Sequence, residues 1–132
     1  MKINYLRKGE NMSREQVKIK CIGMDEEGKG IVKIKGKEVH VPNLIDGETA
    51  VVEVLCQRNF INAKVIRIEE KSEYRVEPKC KYFNKCGGCQ LQHLSLEGQR
   101  KFKQKSVEKL MKQYHKVNEI IMMEKPYFYR NK

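Results

Sequence analysis

Gly28-Lys29-Gly30-Ile31-Val32-Lys33-Ile34-Lys35-Gly36-Lys37-Glu38-Val39-His40-Val41 is the stretch whose reading decides the fold. Two apolar runs flank a Lys35-Gly36-Lys37 turn, and Gly28-Lys29-Gly30 opens the first of them, which is the pattern of a β-hairpin. Upstream, Val17-Lys18-Ile19-Lys20-Cys21-Ile22 alternates in the manner of a strand. Downstream, Pro42 and an Asn43-Leu44-Ile45-Asp46-Gly47-Glu48 loop give way to Thr49-Ala50-Val51-Val52-Glu53-Val54-Leu55. The polar connection Gln57-Arg58-Asn59 then leads to Ile61-Asn62-Ala63-Lys64-Val65-Ile66-Arg67-Ile68. Five short strands at this spacing predict a small antiparallel barrel, because closure leaves no unpaired edge. Cys21 and Cys56 fall inside these runs, away from any acid–base partner, and read as small apolar packing residues.

Beyond the strands, Ser95 is placed to cap a helix from Leu96 to about Tyr114, although Gly98 weakens its first turn. Phe102, Val107, Leu110, Met111 and Tyr114 fall at helical spacing, while Lys101, Lys103, Lys105, Lys109 and Lys112 occupy most other positions. Val117 to Met123 reads as a short strand. The fold class is therefore mostly β with a C-terminal α segment: an antiparallel barrel over 14–72, a Cys-rich loop over 73–94, and a basic helix with a short strand over 95–132. Residues 1–13 are polar and aperiodic, and a disordered extension is expected there.

Lys plus Arg number 28 against 17 Asp plus Glu, a net charge of +11, with an isoelectric point near 9.5. Such a balance favours a polyanionic partner over an acidic small molecule. The excess is uneven: from Arg100 onward there are ten basic residues and three acidic ones. The N-terminus lacks the continuous apolar run of a secretory signal, and no segment has the length of a membrane span. A cytoplasmic, monomeric protein with no membrane attachment is expected.

Cys80-Lys81-Tyr82-Phe83-Asn84-Lys85-Cys86-Gly87-Gly88-Cys89 carries three thiols in ten residues and runs directly into Gln90-Leu91-Gln92-His93. With an odd total of five cysteines in a reducing compartment, metal ligation is a better explanation than disulfides. Gly87 and Gly88 let the backbone between Cys86 and Cys89 turn tightly enough to aim both sulfurs at one centre. An iron–sulfur centre normally takes four cysteines, of which three are local. A Cys3His zinc site using Cys80, Cys86, Cys89 and His93 is the alternative, and reduced thiols or a Cys86–Cys89 redox pair is the third possibility. Composition does not choose between iron and zinc.

Read as C-x5-C-G-G-C-Q-L-Q-H, the segment resembles the cluster loop of the bacterial RNA uracil-5 methyltransferases, which make 5-methyluridine in ribosomal RNA from S-adenosylmethionine. The resemblance implies a four-iron four-sulfur cluster with Cys80, Cys86 and Cys89 as three ligands. The family's fourth cysteine lies farther along than Lys132. Met24-Asp25-Glu26-Glu27-Gly28-Lys29-Gly30-Ile31, Val39-His40-Val41 and Leu44-Ile45-Asp46-Gly47-Glu48 are similar to the TRAM domain, an OB-like RNA-binding barrel that precedes the cluster loop in this family. His40 stands where the family more often has Phe, and Ile45-Asp46-Gly47-Glu48 departs from its Pro-Gly-Glu. A Tyr129-Arg130-Asn131-Lys132 string resembles the family's entry into the catalytic part.

The resemblance thus implies the RNA-binding part of an S-adenosylmethionine-dependent methyltransferase acting on ribosomal RNA, with a stand-alone RNA-binding zinc protein as the alternative. An OB-type barrel offers charged and aromatic side chains to a nucleic acid, and Lys18, Lys20, Lys29, Lys33, Arg58, Phe60 and Lys64 are the candidates for RNA contact. Methylation at uracil C5 needs a cysteine adding at C6, a sulfonium methyl donor and a base for the C5 proton. Within 132 residues no glycine-rich strand-to-helix turn for the adenosyl donor is recognisable, so these residues are not expected to methylate by themselves.

Overall fold

The computed structural model describes residues 13–130. The order of elements is β1 (Ser13–Lys20), β2 (Gly23–Met24), β3 (Gly30–Ile34), β4 (Lys37–Val41), β5 (Thr49–Gln57), β6 (Phe60–Glu70) and α1 (Leu96–Met111). The expected disorder of 1–13 lies outside the described residues except at Ser13, which opens β1.

The strands form two antiparallel three-stranded sheets, β1-β5-β6 and β2-β3-β4, which do not close into a barrel. This corrects the five-stranded barrel in two respects: a sixth, two-residue strand appears at Gly23–Met24, and hydrogen bonding stays within each sheet. The sheets meet through side chains. Cys21, Val32, Ile34, Val39, Val41 and Leu44 from the smaller sheet and its loops pack with Ala50, Val52, Val54 and Ala63 from the larger one. All are nearly inaccessible to solvent, and apolar burial of this kind contributes about 25 cal/mol per Å².

Local chemistry explains the turns. Lys35 (φ 51°) and Gly36 (φ 75°) both adopt positive φ, as the two-residue turn between paired Ile34 and Lys37 requires. In the β2–β3 connection, the Asp25 carboxylate accepts the N–H groups of Glu27 and Lys29, each at 2.9 Å. This aspartate substitutes a side chain for backbone hydrogen bonding and fixes a tight turn. A Cβ at Gly30 would lie 2.7 Å from Leu44 Cβ and 2.8 Å from Cys21 Sγ, so glycine lets β3 press against the 42–48 loop.

The helix is shorter than expected, ending at Met111 and followed by a turn to Tyr114. Its predicted cap is present: Ser95 Oγ accepts the Gly98 N–H at 3.1 Å. Gly98 has a packing role that propensity hides, because a Cβ there would sit 2.8 Å from Tyr74 Cβ. The expected strand at 117–123 is absent. A strand needs a neighbouring edge, and here the Gln104 side chain takes that place. Its amide donates to the Asn118 carbonyl at 3.1 Å and accepts from the Ile120 N–H at 2.8 Å. Among the described residues no helix is long and apolar enough to cross a membrane.

Candidate functional site

The cysteine loop leaves and rejoins the fold at one place. Arg75 and Leu94 form an isolated antiparallel bridge, with the Val76 N–H donating to His93 O at 3.0 Å and the Ser95 N–H to Tyr74 O at 2.7 Å. Everything from Val76 to His93 is therefore a loop pinned at its neck.

That neck is anchored to the sheets by a buried carboxylate. Glu48, completely buried just before β5, accepts from Arg75 Nε at 2.6 Å and Arg75 Nη2 at 2.8 Å. It also accepts the Ile45 N–H at 3.0 Å and the Ser72 N–H at 3.1 Å. Arg75 Nη2 further donates to the Asn43 carbonyl at 2.6 Å, where the backbone is left-handed (φ 63°). Burial by itself raises a carboxyl pKa, but the arginine and the two backbone donors outweigh it and hold Glu48 below the usual carboxylate range. Four donors on one carboxylate satisfy it fully, the condition under which a buried ion pair is tolerated. Sequence inspection did not single out this pair; the only local signal is a charged residue directly before an apolar strand.

Within the loop, short hydrogen bonds build consecutive turns: the Phe83 N–H donates to Cys80 O, and the Lys85 and Cys86 N–H groups to Tyr82 O. Gln92 Oε1 accepts the Cys80 N–H at 3.2 Å, tying the start of the cysteine motif to its end. Leu91 meets Gly28 in the β2–β3 turn, where a Cβ would come within 2.8 Å of Leu91 Cδ2. Gly28 is at φ 80°, so conformation and space both require glycine. The Gln-Leu-Gln-His tail is thus the contact between the cysteine loop and the smaller sheet, a role its sequence did not disclose.

Cys80, Cys86 and Cys89 are all solvent-exposed and free of disulfides. Among the described residues no three His, Cys, Asp or Glu side chains converge as a metal site, so the thiols share a loop without sharing a centre. Their chemistry fits a thiolate-bound group, since accessible, reduced sulfurs on one short loop are what such a group requires. His93 is elsewhere. Only 2% exposed, it stacks at 5.4 Å on buried Phe83, and both ring nitrogens lack a hydrogen-bond partner. Burial, aided by Arg75, lowers its pKa to about 4.

The seven candidate RNA contacts divide among three places. Lys18, Lys20 and Lys64 point outward from the larger sheet, where Lys18 is ion-paired with Glu69 at 2.6 Å. The cross-strand register sets Lys18 beside Val51 and Arg67, and Lys64 beside Glu53 and Gln16, so Arg67 joins this face without having been foreseen. Arg58 and Phe60 sit at the β5–β6 hairpin tip, both exposed. Lys33 points outward from the other sheet, and Lys29 pairs with Glu27 at 2.5 Å in the β2–β3 turn. The seven do not meet on one surface. Cys21 is buried as expected, with its thiol 3.0 Å from Gly23 O, and Cys56 is half-buried against the core.

No family model matches the chain. Curated proteins do. An uncharacterised RNA methyltransferase of Caldanaerobacter subterraneus is 40% identical over 123 residues, covering 89% of this chain and 27% of the relative. Since that match covers nearly nine-tenths of the sequence, it includes the cysteine loop. The chain belongs to the RNA methyltransferase family. An uncharacterised member from Clostridium acetobutylicum is 42% identical over 113 residues, 80% of this chain and 25% of its own length. The 23S rRNA (uracil(1939)-C(5))-methyltransferase of Shewanella woodyi is 41% identical over 97 residues, 73% of this chain and 22% of the enzyme. The chain spans about a quarter of the length of the family members it matches.

Proposed function

We infer that residues 13–130 are the RNA-recognition part of an S-adenosylmethionine-dependent RNA (uracil-5-)-methyltransferase acting on ribosomal RNA. The observation that carries this is the 41% identity to the 23S rRNA enzyme of Shewanella woodyi, together with a net charge of +11. In this reading the two-sheet unit is the TRAM domain and binds structured RNA through phosphates, with the outward lysines of β1 and β6 among its contacts. The loop from Val76 to His93 would hold a four-iron four-sulfur cluster through Cys80, Cys86 and Cys89, with the fourth thiolate supplied from outside these residues. When bound, such a cluster would stiffen the loop between the sheets and α1. The buried setting of His93 supports iron over the Cys3His zinc alternative, since reaching the exposed thiols would require it to leave Phe83.

Protein purified without oxygen tests the cluster. Iron and acid-labile sulfide with visible absorption are expected, lost in the Cys86→Ser, Cys89→Ser double variant; colourless protein with stoichiometric zinc would overturn it. For RNA, titration of a ribosomal RNA fragment at several salt concentrations should give an inverse linear dependence of log affinity on log salt. Absence of binding at low salt would overturn the RNA reading.

A further inference from the structure

A groove of about 1050 Å³ runs between the β2-β3-β4 sheet and α1. Its walls carry opposite charge. Lys101, Lys105 and Lys109, four residues apart, line the helical side, while Asp25, Glu26, Glu27, Glu38, Asp46 and Glu73 line the other, where Lys29 is engaged by Glu27. Here no lysine–carboxylate pair within 4 Å joins them among the described residues: Asp25 and Glu38 are engaged by His40 on their own side, at 2.6 and 3.3 Å. Two aromatic rings, Tyr74 and Phe102, form part of the lining, and Lys101 lies 4.9 Å above the Tyr74 ring while donating to its hydroxyl at 2.6 Å.

We propose that this groove is a binding site for single-stranded RNA, with phosphates along Lys105 and Lys109, a base against the Tyr74 and Phe102 rings, and the base edge turned toward Glu73 and Glu26. The proposal rests on the RNA reading given above and adds a location and a base preference to it. A nucleotide answers both walls at once: its phosphodiester is the anion the lysines lack, and the exocyclic amino group of cytosine, adenine or guanine donates to a carboxylate. Uracil presents carbonyl oxygens on both sides of its single N–H, which a carboxylate repels. Aromatic rings beside a cationic track are the usual arrangement for unpaired bases. The helical lysines are exposed and belong to the most basic quarter of the sequence, and among the described residues no carboxylate lies within 4 Å of Lys105 or Lys109, whereas Lys18 on the outer face of β1 and β6 is already paired with Glu69 at 2.6 Å.

Fluorescence anisotropy of the 132-residue chain with labelled oligocytidylate and oligouridylate decamers tests it. The unaltered protein should favour oligocytidylate by about fivefold or more. The Lys105→Gln, Lys109→Gln pair should weaken both by about tenfold and reduce the salt slope by about 1.4, the share of two phosphate contacts on a single strand. Glu73→Gln should leave the affinity for oligouridylate intact or improved and erase the preference. If Lys18→Gln with Lys20→Gln removes binding while the helical pair leaves it unchanged, the groove is excluded and RNA binding stands. If the unaltered chain binds neither decamer nor ribosomal RNA, both readings fall. Lys18, Lys20, Glu73, Lys105 and Lys109 are all solvent-exposed, and circular dichroism confirms the fold of each variant.

Discussion

Leu44, Val41 and Val52 are inaccessible to solvent, whereas Leu110 is 63% exposed, Tyr114 72% and Ile121 96%. The contrast divides the molecule. Between Val17 and Ile68, strands supply alternating faces and two sheets cover each other's apolar side, so the aliphatic residues stabilise the fold directly. Beyond Ser95 the helix touches the remainder near its N-terminal end, where Gly98 meets Tyr74, Gln99 donates to the Leu91 and Leu94 carbonyls and Lys101 donates to the Tyr74 hydroxyl, and its apolar residues are spread around a surface dominated by lysine. An apolar side chain in the first region is cohesion; in the second it is open surface. The cysteine loop stands between them and is fastened to the first region by Glu48 and Arg75.

If that fastening holds the two regions together, removing it should have the largest effect. Glu48→Ala leaves the half-buried Arg75 guanidinium and the Ile45 and Ser72 N–H groups without their acceptor and should cost about 3 kcal/mol in urea denaturation. Because the Glu48 pKa is lowered in the folded state, its contribution is present above the unfolded carboxylate value and is lost as pH falls through the folded one. The acid limb of the stability profile should therefore flatten in Glu48→Gln. A fall under 1 kcal/mol would show that the neck is held by something else.

His93 supplies the next effect. Its folded pKa of about 4 against an unfolded value near 6.5 means that the unfolded chain binds the extra proton between those pH values, so stability should rise with pH across that window, by about 3 kcal/mol in all. His93→Phe should remove this slope, measured by denaturant midpoints at pH 4.5 and 7.

Two glycines sharpen the comparison. Gly30→Ala drives a methyl group into Leu44 and Cys21 and should destabilise the whole fold by about 1–3 kcal/mol. Gly98→Ala meets Tyr74 at the same distance class, yet it should release α1 locally, read as faster amide exchange in 96–111 with the global midpoint unchanged. Equal global losses would mean that the helix belongs to the same cooperative unit as the sheets.

Smallest of all, Leu110→Ala should change stability by less than about 0.5 kcal/mol, while Leu44→Ala should cost about 2–5. A large loss at Leu110 would reveal a buried partner for the helix.

Much of the first region is legible in the sequence. Alternation located β1, β3, β4, β5 and β6 within a few residues, since strand periodicity follows from local backbone geometry, and Lys35-Gly36 announced its turn because few residues tolerate positive φ twice in succession. The two-residue β2 and the lack of closure were not legible, because both depend on where distant edges end. Helix α1 was read from spacing and its Ser95 cap, but a strand was expected at 117–123 from composition alone, and composition supplies no partner edge. Cys80, Cys86 and Cys89 were identified as a set by their spacing; the seven RNA candidates could not be sorted among faces until register was known.

By itself, the order of amino acids determined the strands, the capped basic helix, the cysteine motif and membership of the RNA methyltransferase family, all of which rest on patterns among near neighbours in the chain. Only the tertiary structure decided that Glu48 meets Arg75 twenty-seven residues away, that His93 is sealed against Phe83 away from the thiols, and that lysines of α1 face carboxylates of the smaller sheet across a groove. Those are long-range pairings, and they are fixed by how the sheets, the neck and the helix pack against one another, which no local pattern encodes.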